Sequence, residues 1–310
     1  MIEFDKFTLN NELRVLVHKD NSSPIIAMNI LYDVGARDED PERTGFAHLF
    51  EHLMFGGSKN IPVYDEPLQK VGGENNAFTN NDITNYYLTL PASNLETGFW
   101  LESDRMMALD FSQRSLDVQK NVVIEEYKQR YLNQPYGDVS LLLRPLSYKV
   151  HPYRWPTIGE SIDHIKNATL NDVKSFFYSH YAPNNAILSI SGNVETEQIY
   201  KLTEKWFGGI EKRDIAVRKL DKEPKQTGAR ELTEKKDVPS NAIYMAYHMC
   251  DRKSELYHAT DFLSDILSNG LSSRLYQRLV KGKRLFSNIN AYISGSVDPG
   301  QFIISGNLLD

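Results

Sequence analysis

The chain has 310 residues, of which 41% are hydrophobic and 25% charged, and its formal net charge is −6. These values are ordinary for a globular protein, and the length favours two domains. The negative charge argues against nucleic-acid binding, which calls for a basic surface. No apolar run approaches the ~18 residues needed to span a membrane, and no signal peptide is visible. We therefore expect a cytoplasmic protein, or a periplasmic one if a signal was removed.

The first 210 residues predict alternating strands and helices. A hairpin is expected over 4–19 with its turn at Asn10-Asn11, followed by a strand over 25–34. A buried helix is expected from near Thr44 to Gly56-Gly57. The remaining predicted elements are a strand over 76–90, helices over 92–109, 112–133 and 169–179, a strand over 186–191 and a helix over 196–206.

The last third of the chain predicts a weaker copy of this pattern. Residues 212–237 are charged and polar, which indicates an interdomain linker with at most one strand. The sequence then predicts a strand over 240–249, helix over 256–281, and strands over 289–294 and 301–305. We expect an α+β fold of tandem homologous units, each an antiparallel sheet packed with helices. The first unit would cover 1–211, and the second, over 238–310, looks truncated.

One segment carries most of the chemical information. His48-Leu49-Phe50-Glu51-His52 lies on the predicted buried helix, where residues four apart share one face. His48 and His52 can therefore offer imidazole nitrogens to one metal ion, and Glu51 borders the same face. Burying these polar groups without partners would be costly. The pattern predicts a catalytic zinc site in which Glu51 acts as general base on a water.

Such a site needs a third protein ligand. Glu125 and Glu126 lie on the predicted helix over 112–133, among apolar residues. Periodicity alone does not choose between these two carboxylates. The single cysteine, Cys250, excludes an intrachain disulfide and is expected to pack as a small apolar residue. We expect structural or surface roles for His151 and the other histidines outside the motif.

Several motifs together resemble the pitrilysin, insulin-degrading enzyme and mitochondrial processing peptidase family, whose members carry an inverted zinc motif. The similarity is strongest to the bacterial processing-peptidase-like branch and extends over essentially the whole chain. The motifs that carry it are Val34 to Glu39, Gly45 to Phe55, Asn76 to Thr79, Tyr86-Tyr87, His151-Pro152-Tyr153, Tyr181 to Asn185 and Gly192-Asn193-Val194.

The resemblance implies a zinc metalloendopeptidase with one Zn²⁺ per chain and Glu126 as the third ligand. The family often has another glutamate seven residues earlier, where this chain has Gln119. Substrates of the family, which are peptides or unfolded segments in a closed chamber, add as a strand to a sheet edge. The matching edge here is Asn76-Ala77-Phe78, although the same segment fits an ordinary strand.

The resemblance also implies a partner. In many relatives a basic residue and a tyrosine seven positions later reach the substrate from a unit without zinc. Val280 and Ser287 stand at those positions here. We therefore expect a second subunit of the same family to supply the pair in a heterodimer, or alternatively a homodimer. A non-catalytic scaffold subunit is the alternative function. No glycine-rich phosphate loop supports a nucleotide-binding enzyme.

Overall fold

The structure is a computed structural model that describes residues 2–215 and 217–309. It is a mixed α+β fold in which sheets pack against helices, as the sequence predicts. The strands in the described part are β1 (Asp5–Thr8), β2 (Arg14–Lys19), β3 (Ile25–Tyr32), β4 (Glu74–Thr79), β5 (Thr84–Pro91), β6 (Ala186–Gly192), β7 (Ala242–His248), β8 (Phe286–Ser294) and β9 (Gln301–Leu308). The α-helices are α1 (Phe46–Leu53), α2 (Asp65–Lys70), α3 (Leu95–Met107), α4 (Gln113–Tyr127), α5 (Val139–Ser147), α6 (Ile162–Lys166), α7 (Leu170–His180), α8 (Thr196–Phe207) and α9 (Tyr257–Ser268).

The chain divides into two compact units. Unit 1 comprises 1–126 and 157–220, and unit 2 comprises 127–156 and 221–310. The second unit thus takes a segment from the middle of the sequence as well as the C-terminal part. The domain boundaries expected from the sequence, 1–211, 212–237 and 238–310, stay predictions.

Unit 1 contains a six-stranded sheet in the order β1-β2-β6-β3-β5-β4. Strand β6 lies between β2 and β3, parallel to β2 and antiparallel to β3. The other neighbours are antiparallel, and β4 forms one edge of the sheet. Alternate residues of β2, β3 and β6 are buried, as expected for strands with one face against a core. Helices α1, α3 and α8 contact strands of this sheet.

Unit 2 contains a three-stranded antiparallel sheet in the order β7-β9-β8. Its buried cluster is formed by Met249, Ala291 and Phe302, and the half-buried Cys250 packs against it. Cys250 packs against apolar residues, as expected, but it is half-buried rather than buried and lies two residues beyond the end of β7.

Two predicted elements differ from the structure. The predicted strand over 76–90 is a hairpin of β4 and β5, because the Asn80 Oδ1 accepts hydrogen bonds from the backbone N–H groups of Asp82 and Ile83 and builds a turn. The predicted helix over 256–281 ends at Ser268, after which Gly270 has a φ of 81°. A π-helical turn over Tyr276–Gly282 follows it.

The turn of the first hairpin lies at Asn10-Asn11, as predicted. The Glu12 N–H donates 2.9 Å to the Leu9 carbonyl oxygen and closes the turn, and Glu12 itself has a positive φ of 69°. The Asn11 side chain donates to the carbonyl groups of Phe207 and Ile210. Residues 211–215 and 217–237 contain no strand. Among the described residues, no helix is both long and apolar enough to cross a membrane.

Candidate metal centre

Helix α1 begins at a buried carboxylate. Gly45, with a φ of 90°, precedes the helix, and the Glu39 carboxylate accepts hydrogen bonds from the N–H groups of Gly45 and Ala47, both 2.8 Å long. A negative charge at a helix N-terminus satisfies free N–H groups and interacts favourably with the helix dipole. Glu39 therefore fixes the start of the helix, one turn before His48.

The two histidines of α1 face each other across one turn. Their ring centroids are 4.8 Å apart and the ring planes are nearly perpendicular, at 87°. The apolar residues around them are buried, whereas the His48 and His52 side chains keep 12% and 24% of their surface exposed. The helix thus buries its apolar faces and leaves one polar face open to a ligand.

Helix α4 brings a carboxylate to this face. The Glu126 Oε2 lies 3.6 Å from the His48 Nε2 and 3.3 Å from the His52 Nε2. The neighbouring Glu125 is exposed. Val123, three residues before Glu126, is buried. Of the two glutamates that periodicity left open, Glu126 is the one beside the histidines.

The donor set fits a zinc ion. One ligand atom each from His48, His52 and Glu126 lies within 4.8 Å of the others, and no other such group of His, Cys, Asp and Glu occurs in the described part of the chain. Zinc bonds of about 2.0–2.1 Å in tetrahedral geometry place neighbouring donors about 3.3–3.5 Å apart. The two histidine–glutamate distances lie close to that spacing. Two imidazoles and one carboxylate also leave a fourth position free, as catalytic zinc sites require.

Glu51 is half-buried beside these donors. Burial raises the pKa of the Glu51 carboxyl, while the nearby polar groups of Thr79 and the charge of His52 oppose the rise and the charge of Glu126 adds to it. Thr79 is the last residue of β4. The carboxylate therefore lies between α1 and the edge strand of the sheet, with its proton affinity raised.

The predicted substrate edge Asn76-Ala77-Phe78 lies on β4, the exposed edge of the six-stranded sheet. Asn76 and Phe78 are exposed and Ala77 is half-buried. The Ala77 N–H donates a 2.8 Å hydrogen bond to the side-chain oxygen of Asn76, and this bond is exposed to solvent. In an antiparallel ladder, N–H groups alternate between the partner strand and the free side. The Ala77 N–H is thus directed to the open edge, where an added strand would bind.

Three supporting residues were not identified from the sequence. Glu39 caps α1, Thr79 contacts Glu51, and the Tyr86 hydroxyl donates to the Phe50 carbonyl of α1. All three lie in motifs that carried the family resemblance, but the motifs alone do not indicate which residues these side chains contact. The acidic residue shortly before the helix was the one local signal for a cap. Gln119, in turn, lies near Gly56, just beyond the end of α1.

The histidines outside the motif have other contacts. The buried His151 accepts from the Tyr153 N–H through Nδ1, and its Nε2 is 3.4 Å from the Asp298 carboxylate. His164 bonds to Thr44, and His248 bonds to the Ser147 carbonyl. These contacts agree with the structural roles expected for histidines outside the motif.

Two family profiles together match most of the chain. The profile described as insulinase, peptidase family M16, matches residues 14–142, and the profile described as the peptidase M16 inactive domain matches 167–309. A crystal structure of a protease from Helicobacter pylori is 32% identical and superposes with a TM-score of 0.93, covering 100% of this chain and 76% of that one. This chain belongs to peptidase family M16.

Relatives of the M16 chain carry protease names. A Helicobacter pylori protein named zinc protease PqqE is 35% identical over 91% of this chain, and the chain spans 65% of that protein's length. An uncharacterized zinc protease, YmxG, from Bacillus subtilis is 27% identical over 97% of the chain and 73% of its own length. A peptidase M16 inactive domain from Pseudomonas fluorescens shares the fold, with a TM-score of 0.85 at 18% identity, covering 99% of this chain and 74% of that one.

Proposed function

We propose that this chain is the catalytic subunit of a zinc-dependent endopeptidase, in which His48, His52 and Glu126 hold one zinc ion. The observation that carries the proposal is that the Glu126 Oε2 of α4 lies 3.6 and 3.3 Å from the Nε2 atoms of His48 and His52 on α1, close to the donor spacing of a tetrahedral site. Sequence relatives named zinc proteases support it. The stretch matched by the inactive-domain profile, 167–309, contains none of the three donors.

Glu51 is the proposed general base. A bound zinc ion supplies Lewis acidity, which lowers the pKa of water towards about 7. The Glu51 carboxylate takes a proton from the attacking water and delivers it to the nitrogen of the leaving peptide. Burial raises the pKa of this carboxyl, which favours holding the proton between the two transfers.

The proposed substrate is an extended peptide or unfolded segment that pairs with β4. The free edge at Asn76-Ala77-Phe78 offers main-chain groups, and β4 ends at Thr79, which contacts Glu51. Main-chain pairing gives affinity with little dependence on sequence, while side-chain contacts give selectivity. The peptide bond to be cut would then lie beside Glu51.

A second M16 subunit, or a second copy of this chain, is proposed to close the chamber. Val280 and Ser287 occupy the positions where many relatives carry a basic residue and a tyrosine. Val280 cannot supply the positive charge and Ser287 cannot supply the phenol hydroxyl at these two positions. Equal peptidase activity of this chain alone and in a mixture with its M16 partner would refute this part of the proposal.

The metal content of three purified proteins tests the zinc site. Wild type and Glu125→Gln are expected to contain one zinc per chain, because Glu125 is exposed. Glu126→Gln is expected to lose most of its zinc, because a neutral amide is a poor zinc ligand. If wild type remains free of zinc after the metal is added back, the proposal fails and the non-catalytic scaffold becomes the better explanation.

A further inference from the structure

A buried ion pair lies in α3, away from the metal donors. Glu102 and Arg105 are each 1% exposed. The Arg105 Nε donates to Glu102 Oε2 at 2.8 Å and its Nη2 to Glu102 Oε1 at 2.6 Å, while the Tyr64 hydroxyl donates to the same carboxylate. Removing two charges from water costs several kcal/mol per ion, and replacing a buried ion pair by apolar residues of similar volume is often neutral or stabilising. A role in fixing geometry accounts for the pair better than stability alone.

The guanidinium group of Arg105 is enclosed by aromatic rings. Its central carbon lies 4.3 Å from the ring centroid of Tyr86, 4.6 Å from that of Tyr64 and 5.4 Å from that of Phe55. Cation–π attraction is strongest in such desolvated places. Because Glu102 fixes the guanidinium, the guanidinium in turn fixes the ring of Tyr86.

Tyr86 connects this aromatic cage, which consists of the rings of Tyr86, Tyr64 and Phe55, to helix α1. Its hydroxyl donates 3.2 Å to the carbonyl oxygen of Phe50, the residue before Glu51. That carbonyl also accepts the ordinary helical bond from Met54. Burial raises the pKa of Tyr86 well above its usual value, so the hydroxyl keeps the proton that it donates. Phe55, just past the end of α1, is a second point of contact with the cage.

We propose that Arg105 and Tyr86 are positioning residues that set the rotation of α1 about its axis and thereby aim His48, His52 and Glu51. The part that concerns catalysis rests on the proposed function. A helix of eight residues carries all three side chains on one face, so a small rotation moves them together. The Glu39 cap holds one end of this helix, and the cage holds its middle and its far end.

The test uses Tyr86→Phe in the full chain, because this variant keeps the ring in the cage and removes only the hydroxyl bond. The matched control is Tyr148→Phe in unit 2, where a buried hydroxyl likewise donates to a backbone carbonyl, that of Pro299. The first readout is the NMR spectrum of the histidine rings in metal-free protein. We expect the His48 and His52 signals to shift in Tyr86→Phe and to stay in place in Tyr148→Phe.

The second readout uses the zinc-loaded protein. Tyr86→Phe is expected to lower kcat on a fluorogenic peptide about 10-fold with little change in KM, since small misplacements of catalytic groups have large effects on rate. The absorption spectrum of the cobalt-substituted protein is expected to change as well. Arg105→Lys, which keeps the charge but lacks the planar fork, is expected to show the same kcat loss.

Each outcome is decisive. Unchanged His48 and His52 signals in Tyr86→Phe would overturn the positioning role, whatever the thermal stability of the variant. Shifted signals in a chain whose wild type neither binds zinc nor cleaves peptides would uphold the positioning role and refute the proposed function. Equal kcat losses in Tyr86→Phe and Tyr148→Phe would show a general stability effect and overturn the role in catalysis.

Discussion

The helices α1 and α9 follow a strand and a loop in their respective units, yet they differ in burial. In α1, five of eight residues are buried, and the polar face carries His48, Glu51 and His52. In α9 only Ser264 is buried, and apolar residues such as Phe262 and Leu263 are 65% and 47% exposed. The ligands of a metal centre must be held in fixed positions, which requires that the helix carrying them be packed against the core. Packing around α1, as well as the spacing of its donors, therefore supports the candidate site.

The largest expected effect is the loss of kcat when the proposed base, Glu51 on the well-packed helix α1, is replaced. Glu51→Gln should lower kcat by about 10²–10⁴-fold, because an amide cannot accept the proton, while zinc content stays at the wild-type level. Glu255→Gln, an exposed change just before α9, is the matched control and should leave kcat unchanged. Peptide assays with parallel metal analysis provide the measurement. A Glu51→Gln protein with wild-type kcat would contradict the assigned role.

The next largest effect is on the free energy of unfolding, and it compares the packing of α1 and α9 directly. Leu49 in α1 is fully buried, whereas Leu263 in α9 is 47% exposed. Leu49→Ala should lower the free energy of unfolding by about 2–5 kcal/mol through lost burial and a cavity. Leu263→Ala should change it by at most about 0.5 kcal/mol. Urea unfolding followed by circular dichroism measures both, and similar losses of stability in the two variants would contradict the difference in packing between α1 and α9.

A smaller effect is expected at the start of α1, where Glu39 provides a cap; α9 has no side-chain cap at its first turn. Glu39→Gln should cost about 1–2 kcal/mol, because two hydrogen bonds lose their ionic acceptor at a helix N-terminus. Hydrogen exchange at Gly45 and Ala47 should accelerate. The matched control is Thr169→Ala, which removes the cap of α7 and should leave exchange in α1 unchanged. Unaltered exchange in Glu39→Gln would contradict the capping role.

The smallest effect concerns the sheet edge beside α1. A peptide inhibitor that pairs with β4 should weaken about 2- to 12-fold when an amide that faces the strand is N-methylated, since one hydrogen bond contributes about 0.5–1.5 kcal/mol. Methylation at the intervening positions should have little effect, because alternate amides point away. Inhibition constants across a scan would therefore vary with a period of two residues. A uniform response along the peptide would argue against strand addition.

The sequence predicted elements with strong local patterns. The first hairpin, β6 and α1 follow from alternation, helical spacing and bounding glycines, and all three are confirmed. The hairpin of β4 and β5 was missed although Asn80-Asn81-Asp82 are turn-forming residues of the kind that predicted the turn at Asn10-Asn11, and the Asn80 side chain does build the turn. Local patterns therefore located elements better than the turns that join them.

The candidate site was predictable only in part. The spacing of His48 and His52 indicated a metal site, but Glu125 and Glu126 have similar neighbours along the chain, and the packing of α4 separates them. The pair Glu102 and Arg105 reads as an ordinary exposed helix pair, because its burial depends on rings from distant segments. Support for a site comes from tertiary contacts, which single-sequence patterns do not contain.

The central position of β6 has a consequence for how the protein folds. The residues His48, His52 and Glu126 leave the ribosome before Ala186–Gly192, the strand that joins the N-terminal hairpin to β3. Until β6 arrives, β2 and β3 each have an unpaired edge, and long-range pairing of this kind is slow. Open edges invite pairing with other chains. Refolding yield should therefore fall with protein concentration, and the slow step should be the insertion of β6.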